Sequence, residues 1–83
     1  MSTYAVADGD GNELTRAGSL DRAARDITGH LLRDKAITRE EADAGPDLRE
    51  LAEAPQGYPP GTRTWEYYAG GRGHERFIVE LPG

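Results

Sequence analysis

Cysteine is absent from the chain, which excludes disulfides, thiolate nucleophiles and every zinc site built on cysteine. A secreted domain of this size ordinarily relies on covalent or metal staples, so a cytoplasmic setting is expected. Large apolar side chains are also scarce, with one Trp, one Phe and one Met against 30% charged residues. No apolar run approaches the roughly 18 residues that cross a bilayer. Met1-Ser2-Thr3-Tyr4-Ala5 has neither a basic start nor an apolar block, so neither membrane insertion nor a signal peptide is expected. Signatures of catalysis are missing too: the sequence has no Gly-x-Ser-x-Gly elbow, Walker pattern or dinucleotide glycine pattern. Gly70-Gly71-Arg72-Gly73 supplies glycines but no following Lys-Ser/Thr to hold a phosphate. The reading is a non-enzyme without cofactor or metal.

What is there fits one small domain. Eighty-three residues bury only about 60–65% of the surface their unfolded chain exposes, which leaves a small core and little room for an enclosed pocket. The net charge of −5 conceals a pattern. Residues 16–39 carry Arg16, Arg22, Arg25, Arg33, Arg39 and Lys35 against Asp21, Asp26 and Asp34. Residues 40–53 carry Glu40, Glu41, Asp43, Asp47, Glu50 and Glu53 against Arg49 alone. A nucleic-acid binder is usually basic overall, because phosphate contacts dominate its affinity. An acidic segment repels phosphate and attracts a basic protein surface.

Periodicity predicts a ββ-α-α-ββ order, an α+β fold with a small antiparallel sheet packed on one main helix. Residues 1–17 read as a hairpin, with Tyr4 and Val6 on one strand face, the turn formers Asp8-Gly9-Asp10-Gly11-Asn12, and a returning strand over Glu13–Arg16. Ser19 is positioned to cap a helix running to residue 35, whose apolar stripe is Leu20, Ala23, Ala24, Ile27, Leu31 and Leu32. Gly29 interrupts that helix and is read as a close approach or a bend. Thr38-Arg39-Glu40-Glu41 matches a capping box; Gly45-Pro46 stops the short helix behind it. Asp47-Leu48-Arg49-Glu50 repeats the capping logic and is read as a further helical turn within an acidic helical segment, 38–54. Residues 55–61, rich in Pro and Gly, form an extended connection. Residues 62–81 form the second hairpin. An odd loop there, Gly71–Gly73 or Gly70–His74, sets Tyr67 opposite Phe77 and Trp65 opposite Val79, so that these four hold the core.

Several residues suit chemistry by type but less well by context. Asp8-x-Asp10-x-Asn12 opens like a calcium loop, yet Glu13 stands where the sharp-turn glycine belongs and Ser19 where a bidentate Glu should close it; a hairpin turn is the simpler reading. His30 and His74 are far apart and read as solvated surface residues. The hairpin register places Glu66, Tyr68, Arg76 and Ile78 on the sheet face away from the helix, where an aromatic–Arg–aliphatic patch suits a protein interface. The candidate partner-binding set is therefore Glu40, Glu41, Asp43, Asp47, Glu50, Glu53, Glu66, Tyr68, Arg76 and Ile78, with a solvated charge run as the plainer reading of the acids. The expected function is protein binding by a monomer or homodimer, as an adaptor or as an inhibitor of the phage or mobile-element type that blocks a basic surface. The alternative is nucleic-acid binding through the arginines of the first helix and Arg72 of the Gly-rich loop.

Overall fold

The computed structural model describes residues 2–55 and 57–82; Met1 of the N-terminal hairpin, Gln56 of the Pro/Gly connection and the C-terminal Gly83 lie outside the described residues. The chain runs β1 (Thr3–Asp8), β2 (Glu13–Ala17), α1 (Leu20–Arg33), α2 (Arg39–Asp43), β3 (Asp47–Glu50), β4 (Thr64–Ala69) and β5 (Arg72–Leu81). The strands form one antiparallel sheet in the order β2-β1-β5-β4-β3. This is the expected α+β architecture, with one main helix and a short one on a sheet built from two hairpins and an added edge strand.

Both helix starts follow from their caps. The Ser19 hydroxyl accepts from the Arg22 amide at 3.1 Å. The Thr38 hydroxyl accepts from the Glu41 amide while the Glu41 carboxylate accepts from the Thr38 amide, so orphan donors of the first turn are satisfied reciprocally. Ala23, Ala24, Ile27 and Leu31 of α1 are buried against the sheet. Gly29 is on the exposed side, and a Cβ there would meet open space; it marks neither a close approach nor a bend.

The stretch after Pro46 is a strand and not the expected helical turn. Leu48 lies opposite Tyr67, and Arg49 opposite Glu66. β4 offers an open edge on which Leu48 packs against the core while Asp47 and Arg49 remain exposed.

The second hairpin also departs from expectation. Its loop has two residues, Gly70 and Gly71, with φ of +63° and +74°, the double left-handed turn that matches strand twist. A side chain at Gly70 would run into the Glu41 carboxylate. Tyr68 lies opposite Gly73, and Ala69 opposite Arg72. A bulge then sets His74, Glu75 and Arg76 against Tyr67 alone, with Glu75 at φ +55°. Beyond it Trp65 faces Ile78 and Thr64 faces Val79. Ile78 therefore joins Trp65 and Tyr67 beneath α1, whereas Phe77 and Val79 turn to the other face. The expected pairing of Trp65 with Val79 is off by one residue, and one residue exchanges sheet faces.

That other face is not bare. Ala5, Ala7, Thr64 and Val79 point away from α1 and each is 0% exposed. With α1 on the opposite face, the segment left to screen them is the connection from β3 to β4, described over residues 51–55 and 57–63. Its start is tied to the sheet by the Leu51 amide donating to the Thr64 carbonyl. Leu51, Glu53 and Pro55 line one concavity with Phe77 and the β1–β2 turn. Alanine at positions 5 and 7 leaves the sheet low enough for a chain to lie across it.

Candidate interaction surface

Of the acidic segment expected to meet a partner, most carboxylates already have cations. Glu41 accepts from Arg72 at 3.4 Å, and its pKa is lowered by the Thr38 amide and secondarily by Arg72. It ties α2 to the β4–β5 turn. Glu50 takes Arg63 in a two-pronged contact at 2.9 and 3.0 Å. That hydrogen bonding holds the Glu50 carboxyl below its ordinary range and the Arg63 guanidinium above its own. Asp43 pairs with Arg39 at 3.4 Å and Asp47 with Arg49 at 3.1 Å. Glu40 and Glu53 are exposed and have no ion-pair partner among the described residues.

The expected patch on the sheet separates in the same way. Ile78 is 0% exposed beneath α1 and contacts nothing outside the fold. Arg76 is also on the helix side, in a small cleft with Val6, Leu14, Ile27 and His30, where it donates to the carbonyl oxygens of His74 and Glu75. Both corrections follow from the bulge at Glu75. Glu66 and Tyr68 remain on the outer face, half-buried. The Arg49 guanidinium lies 3.9 Å from the centre of the Tyr68 ring, a cation–π contact that occupies the aromatic surface. The basic set expected to track phosphates is mostly committed as well: Arg16 pairs with Glu13, Arg22 with Asp26, Arg39 with Asp43 and Arg72 with Glu41. Only Arg25, Arg33 and Lys35 of that set have no acid at ion-pair distance among the described residues, and Asp21, Asp26 and Asp34 share their helix and its end.

A second group of acids, Asp8, Asp10, Glu53 and Glu75, lies around the β1–β2 turn; Arg76 stands opposite Asp8 in the sheet and its charge acts on that carboxylate. Asp8 caps this turn. Its carboxylate accepts from the amides of Asp10 and Asn12 at 2.9 and 3.0 Å, and its pKa is lowered chiefly by the Asn12 amide. The geometry is that of a hairpin turn, and among the described residues no group of three or more His, Asp or Glu is arranged to hold a metal ion. Asp10 and Glu53 are exposed on the rim of a concavity of about 240 Å3, lined also by Asp8, Gly9, Gly11, Leu51, Pro55 and Phe77. Glu75 does not line this concavity but lies against Gly9, beside it.

The chain matches no protein-family model, no curated protein and no solved structure. The surface is therefore read from its own chemistry.

Leu51, Pro55 and Phe77 give the concavity an apolar lining, Asp10 and Glu53 give it anionic groups, and Glu75 adds a third carboxylate beside Gly9. Such a combination can take the alkyl stem of a lysine or arginine on the apolar lining and its charged head at the carboxylates. Of this group the sequence places only Glu53 in the partner-binding set. Asp10 stands out there only as part of the calcium-like Asp8-x-Asp10-x-Asn12 turn, Phe77 is expected on the wrong face, and Glu75 is an isolated acid that no local run singles out. The only available signal was the Asp/Gly turn opposite a Pro-rich connection, two segments that the sheet brings together.

Proposed function

We propose that the chain is a non-catalytic protein-binding module that receives a basic segment of a partner protein at the β1–β2 turn end of its sheet. The observation that carries this reading is the convergence of Asp10, Glu53 and Glu75 around the apolar lining of Leu51, Pro55 and Phe77. The net charge of −5 adds long-range attraction for a basic surface and speeds encounter with it. The carboxylates with shifted pKa values, Asp8, Glu41 and Glu50, are all lowered by hydrogen bonds that keep them ionised. Such groups act as structural anions, whereas a general acid would be raised toward neutral pH. In a cytoplasmic setting the module would serve as an adaptor, or as an inhibitor of the phage or mobile-element type that covers a basic surface.

The test is binding of a short arginine- and lysine-rich peptide at low salt, followed by calorimetry. A variant carrying Asp10→Lys, Glu53→Lys and Glu75→Lys is expected to lose at least about tenfold in affinity, since reversing rim charges replaces attraction by repulsion. A charge-matched variant carrying Asp34→Lys, Glu40→Lys and Asp43→Lys, all exposed and away from the concavity, is expected to lose much less. Equal losses in the two variants would reduce the effect to net charge and overturn the assignment of this surface.

A further inference from the structure

The outer edge of the sheet at β2 carries an observation independent of the acidic concavity. β2 pairs only with β1 among the described strands. Thr15 lies opposite Val6, and Glu13 opposite Ala7, so Leu14 is an extra residue and the strand is bulged there. Glu13 and Arg16 consequently share the outer face, opposite Ala7 and Ala5, and contact one another at 3.1 Å. Leu14 is 50% exposed, the one large hydrophobic side chain so exposed among the described residues. It borders the small cleft formed with Ile27 and His30 of α1.

The two edges of the sheet are treated differently. β3 has four residues, three of them charged, and follows directly on Pro46, devices that discourage pairing with another chain. β2 carries a bulge and two charges, devices of the same kind, but its charges, Glu13 and Arg16, are of opposite sign on one face, with Leu14 and Thr15 between them. That arrangement is complementary to itself. An antiparallel second copy, related by a two-fold axis through the bulge, sets each Glu13 opposite the other copy's Arg16. The same register sets each Leu14 opposite the other copy's Thr15, with the two Leu14 side chains diagonal neighbours across the axis on the helix side. Every feature of such a contact is met by its own symmetry mate, which an isologous dimer requires.

We infer that two copies of this chain associate through β2, antiparallel about Leu14–Thr15, with reciprocal Glu13–Arg16 ion pairs. Light scattering on the wild-type chain should show a mass rising with concentration from 9.0 kDa toward twice that value, within a range extending to about 1 mM. Glu13→Arg and Arg16→Glu should each weaken the dimer by about tenfold or more, because each sets like charges opposite one another at both ends. Mixing the two single variants should restore association as a heterodimer, since one strand is then wholly cationic and the other wholly anionic. The rescue also shows that neither variant failed to fold. A wild-type chain that stays at the monomer mass throughout, or single variants that associate as well as the wild type, or a mixture that remains monomeric while the wild type dimerises, would overturn the proposal. Failure of peptide binding at the β1–β2 turn would leave each of these outcomes unchanged.

Discussion

The hydroxyl of Thr28 determines how Tyr67 can be buried. It donates to the Ala24 carbonyl at 2.9 Å and lies 2.6 Å from the Tyr67 hydroxyl. With its one proton directed back along the helix, it accepts from the phenol, and Tyr67 can sit at 0% exposure with no unsatisfied polar atom. Removing the acceptor and removing the donor should therefore differ. Thr28→Val strands a buried phenol O–H and is expected to cost about 1–3 kcal/mol, whereas Tyr67→Phe loses one hydrogen bond and is expected to cost about 0.5–1.5 kcal/mol. Urea unfolding of both variants checks the order. A similar local economy holds Tyr4, whose hydroxyl donates to Glu80 at 3.1 Å and whose pKa is raised first by that bond.

Among elements, the connection between β3 and β4 carries a load that its composition did not announce. Pro and Gly over 55–61 mark it as neither helix nor central strand, and that much was legible. Its place across Ala5, Ala7 and Val79 was not, because small alanines signal a low surface without signalling what lies on it. If the connection closes this face, Ala5→Leu must lift it or strain the sheet. The expected loss is about 1–3 kcal/mol, seen as a lowered urea midpoint; no loss would mean that the face is open. Helix α1, both caps and the N-terminal hairpin were readable, because each rests on local periodicity or cap chemistry. The register of the second hairpin was not, since Gly70-Gly71-Arg72-Gly73 offers both even and odd turns. The deciding bulge puts Glu75 in a left-handed conformation that its residue type does not favour. β3 was misread for a related reason: four residues that cap like a helix pair like a strand once β4 presents an edge.

For the whole molecule, charge does two separate jobs. Arginines consume much of the acidic run internally, and Asp8, Glu41 and Glu50 are held below their ordinary values by backbone amides or guanidinium groups. A carboxyl whose folded pKa is depressed contributes stability that is fully present above its unfolded value and drains away as pH falls through the folded one. Stability is therefore expected to be flat from neutral pH down to roughly pH 5 and to decline below about pH 4. Thermal melts at pH 7, 5 and 3 check this; an unchanged midpoint at pH 3 would contradict it. Of the acids left over, Asp10, Glu53 and Glu75 lie around the β1–β2 turn, while Asp21, Asp34 and Glu40 lie on or beside the helices. A charge count along the sequence located an excess of acid, but not its position, because pairing partners such as Arg63 and Arg72 are distant in sequence from Glu50 and Glu41.

The most direct measurement is a titration of the isotopically labelled chain with the arginine- and lysine-rich peptide, following backbone amide chemical shifts. Recognition at the turn end is expected to move Asp8 to Asn12, Leu51 to Glu53 and Glu75 to Phe77 together, with a common saturation. Shifts confined to Glu40–Asp43 and the outer face of α1, or no saturable shifts at low salt, would contradict the proposed surface.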